Sequence, residues 1–288
     1  MKIAVTSASG QLGAAIVKQL IEEIGANNVV GIARTPTNAA GLGVEIRKGD
    51  YNSREEFNAA LMGVDAVLLV SGMADPRDRI QQHRNVIEAA KANGVQKIVY
   101  TSIVGEEQAT AFSPVVQSNR QTEKDIQASG LEWVIGRNGI YLEPDLAYID
   151  TYLAEGGIRN CAGDGKCTYT SRPELAYAYV KMLTEEKHNG QVYNLVGQGI
   201  TQAELAQGIN EVYGTELSYT PVTVEAYAAE RKAALGEFMG TIIAGIYEGI
   251  QRGANDLRSD FAAAAGRPHK LPIEMMAAFK ENTKAPLK

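Results

Sequence analysis

The run Lys2-Ile3-Ala4-Val5-Thr6-Ser7-Ala8-Ser9-Gly10-Gln11-Leu12-Gly13 decides the fold. Its first five residues form a short, mostly apolar segment, a candidate buried strand. From Ala14 to Glu23 the apolar residues recur with helical spacing. Strand, tight turn and helix in that order leave the first backbone N–H groups of the helix unpaired, at the positive end of its dipole. Such a terminus suits a pyrophosphate. Gly10 lets the backbone approach the phosphates, and Gly13 lets the helix pack closely on the strand. The pattern is S-x-x-G-x-x-G, a variant of the dinucleotide fingerprint G-x-G-x-x-G with the first glycine missing. An ordinary β-turn-α junction with two packing glycines would show the same residues. The place of this one at the head of a βαβ series favours nucleotide binding.

Outward from that turn, strand-like and helix-like segments alternate. The spacing predicts strands over residues 3–6, 29–33, 43–48, 64–70, 95–101 and 131–137. It predicts helices over 11–24, 54–62, 77–93 and 118–129. Ser53 is an N-cap candidate with Glu55 and Glu56 in the first turn, and Gly94 and Gly130 follow helix ends. This rhythm implies a doubly wound parallel α/β sheet of the Rossmann type, with right-handed crossovers. Ligands bind such sheets outside the carboxyl ends of the strands. After residue 140 the rhythm changes. Residues 141–156 read as mostly helical, 157–167 as a loop, 172–184 as a helix and 192–195 as a strand. Residues 201–213 read as a helix with a Thr201/Glu204 capping box. The expected organisation is a dinucleotide-binding core over 1–140 and a smaller α/β C-terminal lobe over 141–288 for the substrate, with strand returns to the core.

Composition bounds the function. The chain has 288 residues, 45% of them hydrophobic and 22% charged, with a net charge of −6, as in ordinary globular proteins. An acidic balance without a basic stripe argues against nucleic acid as a partner. Two cysteines, Cys161 and Cys167, and three scattered histidines, His83, His188 and His269, match no metal-ligand spacing, so no metal site is expected. No apolar run reaches the ~18 residues needed to span a bilayer, and no signal peptide is visible. The expectation is a cytoplasmic protein, a monomer or a homodimer, acting on a small molecule.

NAD-specific sites place a carboxylate roughly 20 residues past the glycine turn, on the ribose 2′-OH. Here the second strand ends in Ala33-Arg34-Thr35, with no Asp or Glu. A guanidinium at that point suits a 2′-phosphate, which makes NADPH the expected cofactor. The competing assignment for Arg34 is a solvated surface cation.

Several segments together carry a family resemblance. They are residues 6–13 above, Gln82-His83-Arg84-Asn85-Val86-Ile87-Glu88-Ala89-Ala90-Lys91, Val99-Tyr100-Thr101-Ser102, Arg137-Asn138-Gly139-Ile140-Tyr141 and Ala162-Gly163-Asp164-Gly165-Lys166. Late in the chain, Ser259-Asp260-Phe261 with Gly266-Arg267 is similar to the family's C-terminal signature. The chain resembles the NmrA-like atypical short-chain dehydrogenases over nearly its whole length, most closely the bacterial NADPH:quinone oxidoreductases and triphenylmethane reductases. The resemblance implies that Ser7, Ala8, Ser9, Gly10, Gln11 and Leu12 wrap the pyrophosphate and that Arg34 meets the adenosine phosphate. It implies that Ser71, Gly72 and Met73 pass beside the adenosine ribose and diphosphate, with Thr101 and Ser102 near the nicotinamide ribose. Asn138, Gly139, Ile140, Tyr141, Leu142 and Glu143 would border the nicotinamide and substrate cleft, and Tyr169 would lie in a cofactor-contacting loop. The implied activity is hydride transfer from NADPH to a quinone or similar conjugated acceptor. The group also includes NADP(H)-sensing regulators without chemistry, a second expectation.

Two departures stand out. Relatives usually carry glycine where Ser7 stands. If that residue needs a positive φ, serine costs about 1 kcal/mol or more; if it needs only a small side chain, its hydroxyl can donate to a phosphate. The second concerns the acid. Short-chain dehydrogenases use Tyr-x-x-x-Lys, but the corresponding segment here is Val115-Val116-Gln117-Ser118-Asn119, and the histidine that quinone-reductase relatives carry near Asn119 is absent too. A Tyr-x-x-x-Lys does occur, Tyr177 to Lys181, but so late in the chain that it reads as a decoy. A quinone tolerates a missing donor, since water can protonate the product and binding and orientation carry the catalysis. Asn138 and Tyr141 are the polar groups best placed to hold a carbonyl oxygen. Asn138 before Gly139 reads equally as a turn residue, and Tyr141 equally as a core aromatic.

Overall fold

The computed structural model describes residues 1–284, so the last four residues of the 141–288 segment lie outside the described residues. The first half alternates β1 (Ile3–Val5), α1 (Gln11–Ile24), β2 (Val29–Ala33), β3 (Glu45–Lys48), α2 (Arg54–Ala60), β4 (Ala66–Val70), α3 (Pro76–Ala92), β5 (Lys97–Ile103), α4 (Ser113–Gln127) and β6 (Glu132–Asn138). The second half runs α5 (Glu143–Ala147), α6 (Ile149–Glu155), β7 (Ile158–Asn160), β8 (Cys167–Thr168), α7 (Arg172–Thr184) and β9 (Gln191–Leu195). It continues with β10 (Gly199–Ile200), α8 (Gln202–Tyr213), β11 (Tyr219–Pro221), α9 (Val224–Leu235), α10 (Glu237–Gln251), α11 (Phe261–Ala265) and α12 (Pro272–Lys284).

Seven parallel strands form the main sheet in the order β3-β2-β1-β4-β5-β6-β9. The order reverses between β1 and β4, which is the topological switch point of a doubly wound sheet. Successive side chains of a strand point to opposite faces, and the core divides accordingly. Ile3, Val5, Leu68, Val70 and Val99 pack on one face under α1, α7 and α11. Ala4, Val30, Ile32, Val67, Leu69, Ile98 and Tyr100 pack on the other under α2, α3 and α4. Because both faces are covered, the inner strands read as continuous apolar runs.

Beyond residue 140 the chain does two jobs. Helix α7 and strand β9 return to the main sheet, α7 with its Leu175, Tyr179 and Leu183 in the first core. The remaining elements close a separate apolar cluster around Leu146, Ile149, Ile158, Tyr169, Leu205 and Met276. Two elements differ from expectation. Helix α4 begins at Ser113 rather than 118, because Pro114 occupies its first turn, where proline is tolerated and pre-set in φ. The expected loop 157–167 contains β7, which pairs in parallel with the distant β11. A three-residue strand has too few positions to show periodicity. No helix among the described residues is long and apolar enough to cross a membrane, and no cluster of metal-ligating side chains occurs among them.

Candidate active site

A cleft of about 1020 Å³ opens along the carboxyl ends of β1, β2, β4, β5 and β6 and is closed on one side by α10. It begins where β1 turns into α1. Helix α1 has Gly10 as its N-cap, no side-chain cap and no acidic residue in its first turn, so its leading N–H groups remain available to an anion. A Cβ on Gly13 would lie 2.3 Å from the Ser7 carbonyl oxygen, and one on Gly10 would lie 3.2 Å from it. The turn can wrap this tightly only with glycine at residue 13.

Ser7 has φ +51°, so of the two alternatives open at this position the left-handed one holds. Its hydroxyl does not point at a free phosphate position but donates to the Tyr51 hydroxyl at 3.1 Å. Ser9, Gly10, Gln11 and Leu12 line the cleft. Ala8 does not: it is fully buried in the core, and its N–H donates to the Ile32 carbonyl at 3.0 Å. Arg34, past the end of β2, is exposed at the edge of the cleft and has no ion pair or hydrogen bond among the described residues.

Ser71, Gly72 and Met73 form the next wall. The loop is held from behind. Ser71 N–H donates to Thr101 Oγ1 at 2.8 Å, and Ser71 Oγ donates to Asn119 Oδ1 at 3.0 Å. Gly72 N–H donates to His83 Nε2 at 3.1 Å. With Nε2 accepting, His83 carries its proton on Nδ1, which faces Thr122 Oγ1 at 2.9 Å; Thr122 donates onward to the Ser118 carbonyl. Burial, with the nearby Arg79 charge, drives the His83 pKa down to about 3, so the ring is neutral. Arg79 is itself buried and lines the cleft. Its Nη2 donates to the Ala74 carbonyl at 2.9 Å and its Nε has no partner.

Thr101 and Ser102, near the end of β5, line the cleft, but the Ser102 hydroxyl is already committed, donating to Glu123 Oε1 at 2.5 Å. Glu123 also takes Arg120 at 2.8 Å and Arg137 at 2.7 Å. Burial alone would raise the Glu123 carboxyl, but these two guanidiniums hold it below its usual range. Asn119, at the position of the missing acid, is equally committed. Its Oδ1 also accepts from Tyr100 at 2.6 Å and its Nδ2 donates to the Val115 carbonyl.

The fourth wall is the end of β6. Asn138 Oδ1 accepts from the Tyr179 hydroxyl at 2.6 Å, which orients its amide so that Nδ2 donates to the Tyr141 hydroxyl at 3.1 Å. Tyr141 therefore accepts from Asn138 and keeps its own hydrogen for the cleft it lines. Burial raises its pKa, so it stays a neutral hydrogen-bond donor. Arg172 lies over its ring at 5.1 Å. Gly139 and Ile140 also line the cleft.

Three expected contacts turn inward instead. Leu142 is fully buried in the lobe's apolar cluster. Glu143 caps α7, its Oε1 accepting from Arg172 N–H at 2.6 Å. Tyr169 is fully buried and its hydroxyl accepts from Gln202 at 3.0 Å. None of the three lines the cleft, because the chain after Tyr141 turns down to cover the lobe's core. The Tyr177/Lys181 pair also stays outside: Lys181 pairs with Glu23 at 2.9 Å and Arg267 covers the Tyr177 ring at 4.3 Å.

Sequence reasoning placed no individual residue of α10 at the far end of the cleft. Met239, Ile242, Ile243, Ile246 and Tyr247 of α10 face Phe112 and Val115 there. The glycines that interrupt this apolar helix serve close packing, since a Cβ on Gly245 would lie 2.3 Å from the Phe112 nitrogen. Asp145 was missed as well. It lines the same end, is 5% exposed, and accepts at Oδ1 from Tyr152 at 2.6 Å and Tyr247 at 3.3 Å. The available signal was a carboxylate set between Pro144 and Leu146, just after the Asn138–Tyr141 segment.

Comparison with known proteins follows the same lines. Residues 7–186 match a family model described as NAD(P)H-binding. The chain belongs to the NmrA-like NAD(P)H-binding family. It is 35% identical over 235 residues to quinone oxidoreductase 2 of Escherichia coli strain K12, covering 80% of this chain and 81% of that one. The crystal structure of the Escherichia coli NADPH-dependent quinone oxidoreductase with NADPH superposes with a TM-score of 0.88 at 31% identity, over 96% of this chain and 99% of that one. The Citrobacter sp. triphenylmethane reductase complexed with NADP(H) gives 0.89 at 33% identity, over 97% and 99%.

Proposed function

We propose that the protein is an NADPH-dependent reductase that passes hydride to a quinone or a similar conjugated small-molecule acceptor. The observation that carries this is one continuous cleft with two unlike ends. One end has uncapped helix N–H groups, a glycine cradle and Arg34; the other has an apolar wall on α10 facing Asn138 and Tyr141. The polar end fits a phosphorylated dinucleotide, and the apolar end fits a flat organic acceptor. The relatives named above support the cofactor and the acceptor class.

In this assignment Ser7, Ser9, Gly10, Gln11 and Leu12 hold the diphosphate through the turn and helix N-terminus. Arg34 takes the 2′-phosphate as a bidentate cation. Ser71, Gly72 and Met73 flank the ribose and diphosphate, with the Arg79 charge beneath them. NADPH supplies the hydride when bound. The chain's own part is to position: Thr101 and Ser102 sit on a strand end locked by the Glu123 pairs, and Asn138 and Gly139 on one locked by Tyr179. The Tyr141 hydroxyl, oriented by Asn138, donates to the acceptor's carbonyl oxygen, where charge develops. The strand ends within residues 1–140 thus carry the cofactor, and α10 of the C-terminal segment, facing Phe112 and Val115, walls the acceptor end. The test is consumption of NADPH by the purified protein against a panel of quinones; tight NADPH binding without turnover on any acceptor would favour a cofactor sensor instead.

A further inference from the structure

Among the described residues two carboxyls line the cleft, Asp50 and Asp145, and of these only Asp145 is buried. We propose that Asp145 is the proton donor of the reaction, giving its carboxyl hydrogen to the acceptor oxygen that becomes negative as hydride arrives. This rests on the reductase function proposed above. It fills the place left by the absent Tyr-x-x-x-Lys, whose position on α4 is taken by Asn119 with both amide atoms engaged.

Geometry sets Asp145 apart from the other polar groups of the cleft. It stands on α5 at the acceptor end, beside Ile243, Ile246 and Tyr247 of α10. Tyr152 and Tyr247 both donate to the same oxygen, Oδ1. With both lone-pair sites of Oδ1 engaged, the hydrogen of the neutral acid would sit on Oδ2. The ionisable groups facing it are Tyr152 of α6, Tyr247 of α10, Tyr169 and Cys167 at β8, and Tyr227 of α9. Among the described residues no cation pairs with it, and Arg172, which also lines the cleft, pairs with Glu143 instead. Burial accordingly raises the Asp145 pKa despite the tyrosine hydrogen bonds. An acid raised from the carboxylate range toward neutrality is better matched to proton transfer than Tyr141, which burial raises further from it.

The acceptor takes one hydrogen with two electrons from the reduced nicotinamide, which becomes oxidised. A C–H bond forms on a ring carbon conjugated to the carbonyl, and the π pair moves onto oxygen. That oxygen takes the proton as the Asp145 O–H bond breaks. The carboxylate recovers its proton from water, and a quinone product tautomerises to the hydroquinone.

The test compares wild type with Asp145→Asn on two acceptors, a benzoquinone and a triarylmethyl-cation dye. The dye cation is neutralised by hydride alone and needs no proton. With the quinone, Asp145→Asn is expected to lower kcat by about 100-fold with little change in KM. Wild-type kcat should fall as alkali deprotonates the acid, and the variant should lack that limb. With the dye the loss should be much smaller than with the quinone. Infrared spectroscopy of the wild type should show a protonated carboxyl band at neutral pH that Asp145→Asn removes, a readout that does not depend on turnover. Equal losses on both acceptors, an unchanged pH profile, or no such band while the wild type reduces quinone would overturn the proposal alone. A wild type that reduces neither acceptor would overturn the reductase assignment and this proposal with it.

Discussion

The Ser7 hydroxyl donates to the Tyr51 hydroxyl across 3.1 Å. Tyr51 in turn donates to the Val70 carbonyl at 2.6 Å and meets Thr6 Oγ1 at 2.6 Å. One half-buried tyrosine thus ties the end of β1 to the end of β4, at the switch point of the sheet. Burial pushes its pKa up to about 12, so it remains a neutral donor throughout the working pH range. Replacing Tyr51 with Phe strands three polar partners. A loss of about 1–3 kcal/mol of stability is expected, together with weaker NADPH binding, measured by chemical denaturation and by calorimetry. Unchanged NADPH affinity would show that Tyr51 does not shape the turn.

Ser7 sits at φ +51°, where glycine is at ease and serine is not. Ser7→Gly relieves about 1 kcal/mol of backbone strain and gives up a hydrogen bond worth about as much. The expected outcome is stability close to wild type and NADPH affinity retained or modestly improved. Calorimetric titration checks it, and a large loss of affinity would mean that the hydroxyl itself holds cofactor.

His83 gives the fold an acid-sensitive joint. Its folded-state pKa is about 3, below the ordinary value of 6.5, so the unfolded chain binds the extra proton first. Its contribution to stability is complete above about pH 6.5 and declines as pH falls through about 3. A protonated ring would also turn Nε2 into a donor facing the Gly72 N–H. Melting temperature should therefore fall on acidification in the wild type. In His83→Gln it should start lower and fall less steeply. Parallel pH curves for the two proteins would contradict the assignment.

Arg34 is exposed and unpaired among the described residues, so its removal should leave the fold intact. A charge-assisted hydrogen bond contributes about 1.5–3 kcal/mol, equivalent to roughly ten- to a hundredfold in affinity. Arg34→Ala should weaken NADPH binding by that amount and leave NADH binding nearly unchanged. Titration of both dinucleotides decides the point, and an equal loss for the two would remove Arg34 from the phosphate site.

What could be read from the sequence follows from local chemistry. The strands from β1 to β6 are visible because, apart from the edge strand β3, they are buried on both faces. The turn at Gly10 and Gly13 is visible because glycine has few other reasons to recur there. The Thr201/Glu204 box is present as expected. Tyr51 and Asp145 were not legible, because each acquires its setting from chain far away in sequence. Tyr51 meets Thr6, Ser7 and Val70, and Asp145 meets Tyr247, 102 residues on. The inward turn of Leu142, Glu143 and Tyr169 is tertiary in the same sense. It depends on the lobe's core, which draws apolar side chains from α5, α8, α10 and α12 together.

The most direct measurement is the rate at which the purified protein consumes NADPH, and separately NADH, when a benzoquinone is added. Quinone-dependent oxidation that favours NADPH is the predicted result. Tight NADPH binding with no oxidation by quinone or any other conjugated acceptor would contradict it.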